Sequence, residues 1–204
     1  MHELVPLIRL LDIAGLAVFA VTGVLVAVRK RVDLISACFF ALVTAVGGGT
    51  LRDLLIDAPV FWMHDASPVL LCVAVALAAW LVPLRWWPDR ALEWFDAAGL
   101  AVYSVYGASK AIQFGVPLIP AVAAGVITAC TGGVVRDITL GVPSILMRHE
   151  LYVSPALTAS LLYVGLGWAG LAAPLPAILG VSAGFALRGA AIRWGLAWPP
   201  HPGN

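Results

Sequence analysis

Two octapeptides hold the residues best placed to do chemistry: Val46-Gly-Gly-Gly-Thr-Leu-Arg-Asp53 and Cys130-Thr-Gly-Gly-Val-Val-Arg-Asp137. Each glycine costs a helix about 1 kcal/mol relative to alanine. Gly47, Gly48 and Gly49 in the first motif, and Thr131, Gly132 and Gly133 in the second, therefore predict interrupted helices. An interruption inside a membrane protein leaves backbone carbonyls facing the interior, and their partial negative charge suits a cation. Thr44, Thr50, Thr128 and Thr131 are close enough in sequence to add hydroxyl oxygens. Close helix packing without a pathway is the competing reading of a glycine run. A phosphate loop is excluded, because Gly-Gly-Gly-Thr-Leu-Arg-Asp lacks the Lys-Ser/Thr that holds a nucleotide.

The Arg-Asp pair closing each motif is the second chemical element. An arginine in a bilayer costs about 2.5–3.5 kcal/mol on insertion scales, so Arg52 and Arg136 must be paired or face water. Asp12 and Asp96 begin the helices on the corresponding sides, which predicts Arg52 with Asp12 and Arg136 with Asp96; Asp53 and Asp137 compete for the same arginines. Lys110 either lines an entrance or snorkels to the interface.

The elements that position these residues follow from composition. The chain is 62% hydrophobic and only 11% charged, too little polar surface to cover a soluble core. A helix crosses the hydrocarbon layer with about 20 apolar residues. Seven such spans are predicted, at about 8–28, 34–52, 68–84, 92–112, 117–136, 154–172 and 174–194. Ser67-Pro68 and Ser154-Pro155 each read as an N-cap serine followed by proline in the first turn. The tail from Trp198 reads as irregular, and Gly180-Val-Ser-Ala-Gly184 as a close-packing motif toward this bundle or a neighbour.

Arg29, Lys30 and Arg31 follow the first apolar run, so it reads as a retained span rather than a secretory signal. With the N-terminus outside, nine of twelve basic residues (Arg29, Lys30, Arg31, Arg85, Arg90, Arg136, Arg148, Arg188, Arg193) fall inside, against Arg9, Arg52 and Lys110 outside; that excess predicts N-out, C-in. Tryptophans sit near the expected interfaces, as amphipathic rings do.

The chain also repeats itself. Asp12-Ile-Ala-Gly-Leu-Ala-Val18 returns as Asp96-Ala-Ala-Gly-Leu-Ala-Val102, an offset of 84 residues. Between 11–62 and 95–146, 20 of 52 positions are identical, including Arg, Asp and Pro that apolar composition alone would not match. Three spans per copy is an odd number, so the copies enter from opposite sides. Inverted repeats place a pathway at their interface near the bilayer midplane. The expected architecture is an all-α membrane protein and a single transmembrane domain over 1–204. Repeat one spans about 8–84, repeat two about 92–172, and a seventh helix about 174–194 lies outside the repeat.

Other chemistry is poorly supported. Net charge of +1 does not point to nucleic acid. Cys38, Cys72 and Cys130 lie in apolar segments without a CxxC pair and read as buried thiols; His2, His64, His149 and His201 read as solvated. No nucleophile, histidine or metal constellation suggests an enzyme, and no cofactor is expected.

The glycine motifs followed by Arg-Asp, the Asp-x-x-Gly-Leu-Ala starts and the 3+3+1 layout resemble the prokaryotic branch of the trimeric intracellular cation channels, over about 8–194. The resemblance implies a homotrimer in a bacterial or archaeal plasma membrane, surrounded by membrane lipids, with a pore in each subunit that passes monovalent cations, largely potassium. It implies that kinked helices two and five line the pore at Gly47, Gly48 and Gly49 and at Gly132 and Gly133. Thr131 replaces the second motif's first glycine, so the two half-pores are unequal. Some bacterial relatives are linked to glycine uptake, so a secondary transporter of a small zwitterionic solute is the alternative, and a membrane scaffold the third.

Overall fold

In the computed structural model, residues 4–147 and 150–199 are described, with side chains from residue 10 onward. Arg148, His2, His149, His201, the Arg9 side chain and the tail beyond residue 199 lie outside the described residues. The helices are α1 (Leu4–Arg29), α2 (Leu34–Leu55), α3 (Phe61–His64), α4 (Ser67–Leu81), α5 (Ala91–Gln113), α6 (Leu118–Thr139), α7 (Val153–Trp168) and α8 (Leu175–Trp194). Seven of them match the seven expected apolar segments within a few residues. The short α3 was not anticipated; four residues are too few to leave a periodic pattern.

Local chemistry sets the helix ends. Asp33 caps α2, accepting from the Ser36 N–H at 2.9 Å. That bond, with the Ser36 hydroxyl, holds the Asp33 carboxyl below the usual carboxylate range. The expected serine caps are corrected: α4 begins one residue, and α7 two residues, earlier than the cap reading requires. Asp65 accepts from the Ser67 N–H at 2.9 Å and its hydroxyl at 2.7 Å, and Ser154 Oγ instead accepts from Trp198 Nε1 at 2.8 Å. The turns leaving α1 and α2 pass through left-handed residues at Arg31 (φ 58°) and Asp57 (φ 53°). At the same 84-residue offset, the turns after α5 and α6 use Gly115 (φ 79°) and Gly141 (φ 59°), the residue type for which this conformation carries no steric cost.

α2 and α6 run unbroken through their glycines, so the expected interruption is corrected. Packing overrides propensity here, because the glycines form a crossing that no other residue permits. A Cβ on Gly48 would strike the Thr128 carbonyl, and one on Gly132 would strike the Thr44 carbonyl. Residue numbers rise along α2 as they fall along α6, so the helices are antiparallel and Asp53 and Asp137 lie at opposite ends. Adding 84 turns the Gly48–Thr128 contact into the Gly132–Thr44 contact. The same exchange relates α1 and α5, where Gly15 lies under the Tyr103 ring and Gly99 under the Phe19 ring. Gly180 and Gly184 pack α8 on Ala159 of α7, with Val105 and Ala101 of α5 nearby, so that motif serves its own bundle.

The distribution of polarity is inverted relative to a soluble protein. Ile35 is 82% exposed and Ile119, 84 residues on, 85% exposed, while Arg52, Arg136 and Arg188 are among the largest fully buried side chains. Among the described residues, four helices are long and apolar enough to cross a membrane: Leu10–Arg29, Leu34–Leu55, Leu118–Thr139 and Leu175–Trp194. α4 and α7 are apolar but shorter, and α5 carries Glu93, Asp96 and Lys110.

The crossing has a direct test. Gly48→Ala and Gly132→Ala drive a methyl into backbone and are expected to destabilise by about 1–3 kcal/mol each, as overpacking does. A Cβ on Gly47 meets only Gly132 Cα at 3.9 Å. Gly47→Ala should therefore match or exceed wild-type stability by up to about 1 kcal/mol of helix propensity. Thermal unfolding of the three variants in one detergent checks the order; equal melting of Gly48→Ala and wild type would remove the close crossing.

Candidate functional site

At one end of the crossing, Arg52 turns back on its sequence neighbour. Its Nε and Nη2 donate to Asp53 Oδ1 at 2.9 and 2.7 Å. Asp53 Oδ2 accepts from the Phe61 N–H at 3.1 Å, which fixes the start of α3. Lys110 Nζ, carried by α5, reaches Asp53 Oδ1 at 2.9 Å and Oδ2 at 3.0 Å. Aromatic rings complete the enclosure: the Arg52 guanidinium lies 5.0 Å from the Tyr106 ring centroid, and Lys110 Nζ 5.6 Å from that of Phe61 and 6.0 Å from that of Phe114.

The predicted Arg52–Asp12 pair is therefore corrected in favour of its competitor. Asp53 is one residue away and already held by a backbone N–H, so Arg52 meets a fixed acceptor without reaching across to α1. Among the described residues, Asp12 Oδ1 and Arg52 Nη1 are buried without a hydrogen-bond partner. Lys110 does not snorkel: its side chain is 15% exposed and its ammonium points inward.

The opposite end repeats this plan. Arg136 Nε and Nη2 both lie 2.8 Å from Asp137 Oδ1, and Asp137 Oδ2 accepts from the Ile145 N–H at 2.9 Å. Phe61 and Ile145 are again 84 residues apart. Here the predicted Arg136–Asp96 pair does form, at 3.4 Å, beside the shorter bond to Asp137. Gly133 leaves room for this cluster; a Cβ there would lie 3.1 Å from Tyr152 Oη, 3.4 Å from Asp96 Oδ1 and 3.6 Å from Arg136 Nη2. Gly49 at the first end is set against the Phe61 ring, 2.8 Å from the position of an added Cβ, with Arg52 Nη2 3.6 Å from it.

Between the ends, the threonines behave alike. Thr44, Thr50, Thr128 and Thr131 each donate a hydroxyl proton to the carbonyl four residues earlier, at 2.6, 2.8, 2.6 and 2.7 Å. Thr44 and Thr128 are buried, whereas Gly47 and Thr131, again related by the offset, are half-buried. Open space beside the crossing is therefore on the Gly47–Thr131 side.

Sequence reasoning missed Arg188. Counted as an interfacial charge, it is fully buried on α8, donating to Leu151 O at 2.7 Å and Glu150 Oε2 at 3.2 Å, with the Tyr152 ring 5.4 Å away. Its position six residues before the end of α8, followed by Gly189, Ala190 and Ala191, was the available signal. Tyr106 and Tyr152, which face the buried arginines, carried none.

A family model described as Glycine transporter matches the chain twice, over residues 9–83 and 93–168. The chain belongs to that family. The UPF0126 inner membrane protein YadS of Escherichia coli (strain K12) is 36% identical over 200 residues, covering 95% of each chain. A UPF0126 membrane protein of Vibrio cholerae is 36% identical over 199 residues, covering 95% of this chain and 82% of that one. A solved structure of the TRIC trimeric intracellular cation channel orthologue from Rhodobacter sphaeroides superposes with a TM-score of 0.87 at 39% identity, covering 93% of this chain and 99% of that one. The resemblance to prokaryotic TRIC channels thus holds in three dimensions, and this family member is a multi-pass integral protein of the plasma membrane.

The two charged ends should respond unequally to loss of their arginine. Removing one partner of a buried ion pair costs about 3–5 kcal/mol. Arg52→Met leaves Asp53 with Lys110, whereas Arg136→Met strips the cation from both Asp96 and Asp137. Arg136→Met is expected to be the more destabilising, and adding Asp137→Asn to it should restore part of the loss. Thermal unfolding of the four proteins in detergent checks this.

Proposed function

We propose that this family member is a monovalent cation channel, with potassium as its main ion and the conduction pathway inside each subunit between α2 and α6. The observation that carries this reading is the glycine crossing, with an Arg-Asp cluster at each end, in a fold held at 39% identity by a trimeric intracellular cation channel orthologue. Carbonyls pressed together at the crossing and carboxylates at both mouths favour cations over anions.

In this proposal the chain is a single transmembrane domain of two inverted three-span repeats plus α8. It has seven spans in all, with the N-terminus and Asp53 outside and the C-terminus and Asp137 inside. It assembles as a homotrimer among membrane lipids. Because α2 and α6 are continuous, ions pass beside the crossing, along Gly47 and Thr131, rather than through a helix break. Gly48, Gly49, Gly132 and Gly133, with Thr44 and Thr128, fix the spacing of the walls. Arg52, Asp53, Arg136 and Asp137, with Asp12 and Asp96 behind them, set the potential at the mouths. Lys110 guards the Asp53 mouth, where its ammonium competes with an entering cation.

Members of the matched family are described as glycine transporters, which keeps carriage of a small zwitterion as the second reading. Single-channel recording of purified protein under a potassium gradient separates the two. Discrete potassium-selective steps are expected. Gly47→Leu should lower unitary conductance without lowering the melting temperature, because its side chain enters the open face and not the crossing. Silence in the bilayer together with saturable, exchange-competent glycine uptake into liposomes would replace the channel by the carrier.

A further inference from the structure

The loops that follow α2 and α6 start alike and are then held differently. Each gives a backbone N–H to the carboxylate behind it, Phe61 to Asp53 and Ile145 to Asp137. The first loop is fastened from within its own stretch of chain. Trp62 Nε1 donates to Thr50 Oγ1 at 2.8 Å, and Asp65 accepts from the N–H and hydroxyl of Ser67 at 2.9 and 2.7 Å.

Neither tie can form in the second loop. At the 84-residue offset Trp62 becomes Leu146 and Thr50 becomes Val134, and neither side chain can donate or accept a hydrogen bond. Beyond Pro143 the offset grows to 87, so that Ser67-Pro68 answers to Ser154-Pro155. Asp65 then becomes Tyr152, whose hydroxyl lies beside Gly133 in the Asp96 cluster.

The missing ties are replaced from α8 and the chain beyond it, which follow the second repeat and have no partner in the first. Arg188 Nη1 donates to Leu151 O at 2.7 Å and to Glu150 Oε2 at 3.2 Å. α8 stops at Gly195, whose left-handed φ of 65° turns the chain back toward the loop. The Leu151 N–H then donates to Leu196 O at 3.0 Å, Ala197 pairs with Glu150 in an antiparallel bridge, and Trp198 Nε1 donates to Ser154 Oγ at 2.8 Å.

These fastenings differ in kind. Arg188 is fully buried and its bond to Glu150 is charge-assisted, so it is a fixed anchor. Trp198 is 72% exposed, and a cavity of about 290 Å³ is lined by Trp198, Leu146 and Tyr152. Little apolar contact holds the indole down, and its hydrogen bond competes with water.

We propose that residues 195–198 are a releasable strap over residues 150–154, and that the strap keeps Ile145 on Asp137. In the strapped form the loop is closed on the carboxylate. Letting go of Leu196 and Trp198 leaves residues 145–152 held by Arg188 alone. The Ile145 N–H then leaves Asp137 more readily, and the cavity of about 380 Å³ lined by Asp137, Pro143 and Ile145 opens further. The Asp53 end has no such control, because its loop is fastened by Thr50 and Asp65. On the channel reading the strap governs one mouth; the strap itself does not depend on that reading.

Hydrogen exchange of the full chain in detergent, read by mass spectrometry, tests it. Peptides covering 143–147 report the loop at Asp137, and peptides covering 59–63 report its counterpart. Trp198→Ala, and a chain ending at Gly195, should exchange several-fold faster over 143–147 and unchanged over 59–63. Trp198→Phe keeps a ring and loses the N–H, so it should show the same change to a smaller degree and serves if the shortened chain fails to fold. Exchange over 143–147 that ignores these changes, acceleration confined to 150–154, or an equal rise over 59–63 would each overturn the proposal. A loosened loop in a protein that passes no current keeps the strap and retires the channel. A conducting protein whose 143–147 exchange ignores loss of the strap does the reverse.

Discussion

Where α2 crosses α6, the backbones themselves are in contact. Gly48 sits against the Thr128 carbonyl and Gly132 against the Thr44 carbonyl, and any Cβ at either glycine would force the helices apart. Lipid supplies no hydrophobic drive between helices, so close backbone packing is one of the few ways to hold them together. The crossing also fixes everything farther out. Its two contacts exchange under the 84-residue offset, so the ends of α2 and α6 are brought to opposite sides at matched heights. Asp53 and Asp137 then anchor the loops that follow through the Phe61 and Ile145 N–H groups.

The buried charges are the second consequence of that geometry. Three fully buried arginines are expensive unless paired, and in each case the partner is supplied by a segment that the crossing or the following loop has positioned. Gly49 and Gly133 lie beside the clusters, where an added Cβ would press first on the Phe61 ring and on Tyr152 Oη respectively. The glycine motifs thus carry two separate jobs in adjacent residues: the middle glycine packs helix on helix, and the last makes room for an aromatic ring that closes the charged cluster, Phe61 at one end and Tyr152 at the other. The first position does neither, which is why Thr131 can stand there in the second motif while Gly47 stands in the first.

Much of this was readable from the chain, for a definite reason. Matched Arg, Asp and Pro at a constant offset cannot come from apolar composition, so the repeat and the paired clusters were legible before any coordinate. Helix spans were legible because long charge-free runs have few alternatives. Partner choice was not. Whether Arg52 takes Asp12 or Asp53 depends on the side-chain path and on a loop N–H eight residues beyond Asp53, and neither leaves a trace in spacing. Helix continuity at the glycines was misjudged because propensity is a local quantity, whereas the tight crossing is a tertiary one. Arg188 was hidden for a related reason: charge counting assigns a basic residue near a helix end to the interface, and only packing reveals that it turns inward.

Internal duplication gives the structure its own control experiment. Two sites built from the same motif, in the same fold, differ by a small number of side chains, so each difference can be read against an otherwise matched surrounding. Lys110 against Val26 is the most consequential, because it places a fixed ammonium at one carboxylate and leaves a cavity of about 380 Å³ beside the other. An ion path with identical mouths would have no intrinsic direction. On the proposed ion path the Lys110 ammonium sits directly on Asp53 at one end, while Arg29 and Lys30 line the cavity beside Asp137 at the other, so the approach to the crossing is electrostatically unequal from its two sides. That asymmetry comes from a few side chains, Lys110 against Val26 and Arg29 and Lys30 against Gln113 and Phe114, and needs no change in the backbone that both halves share.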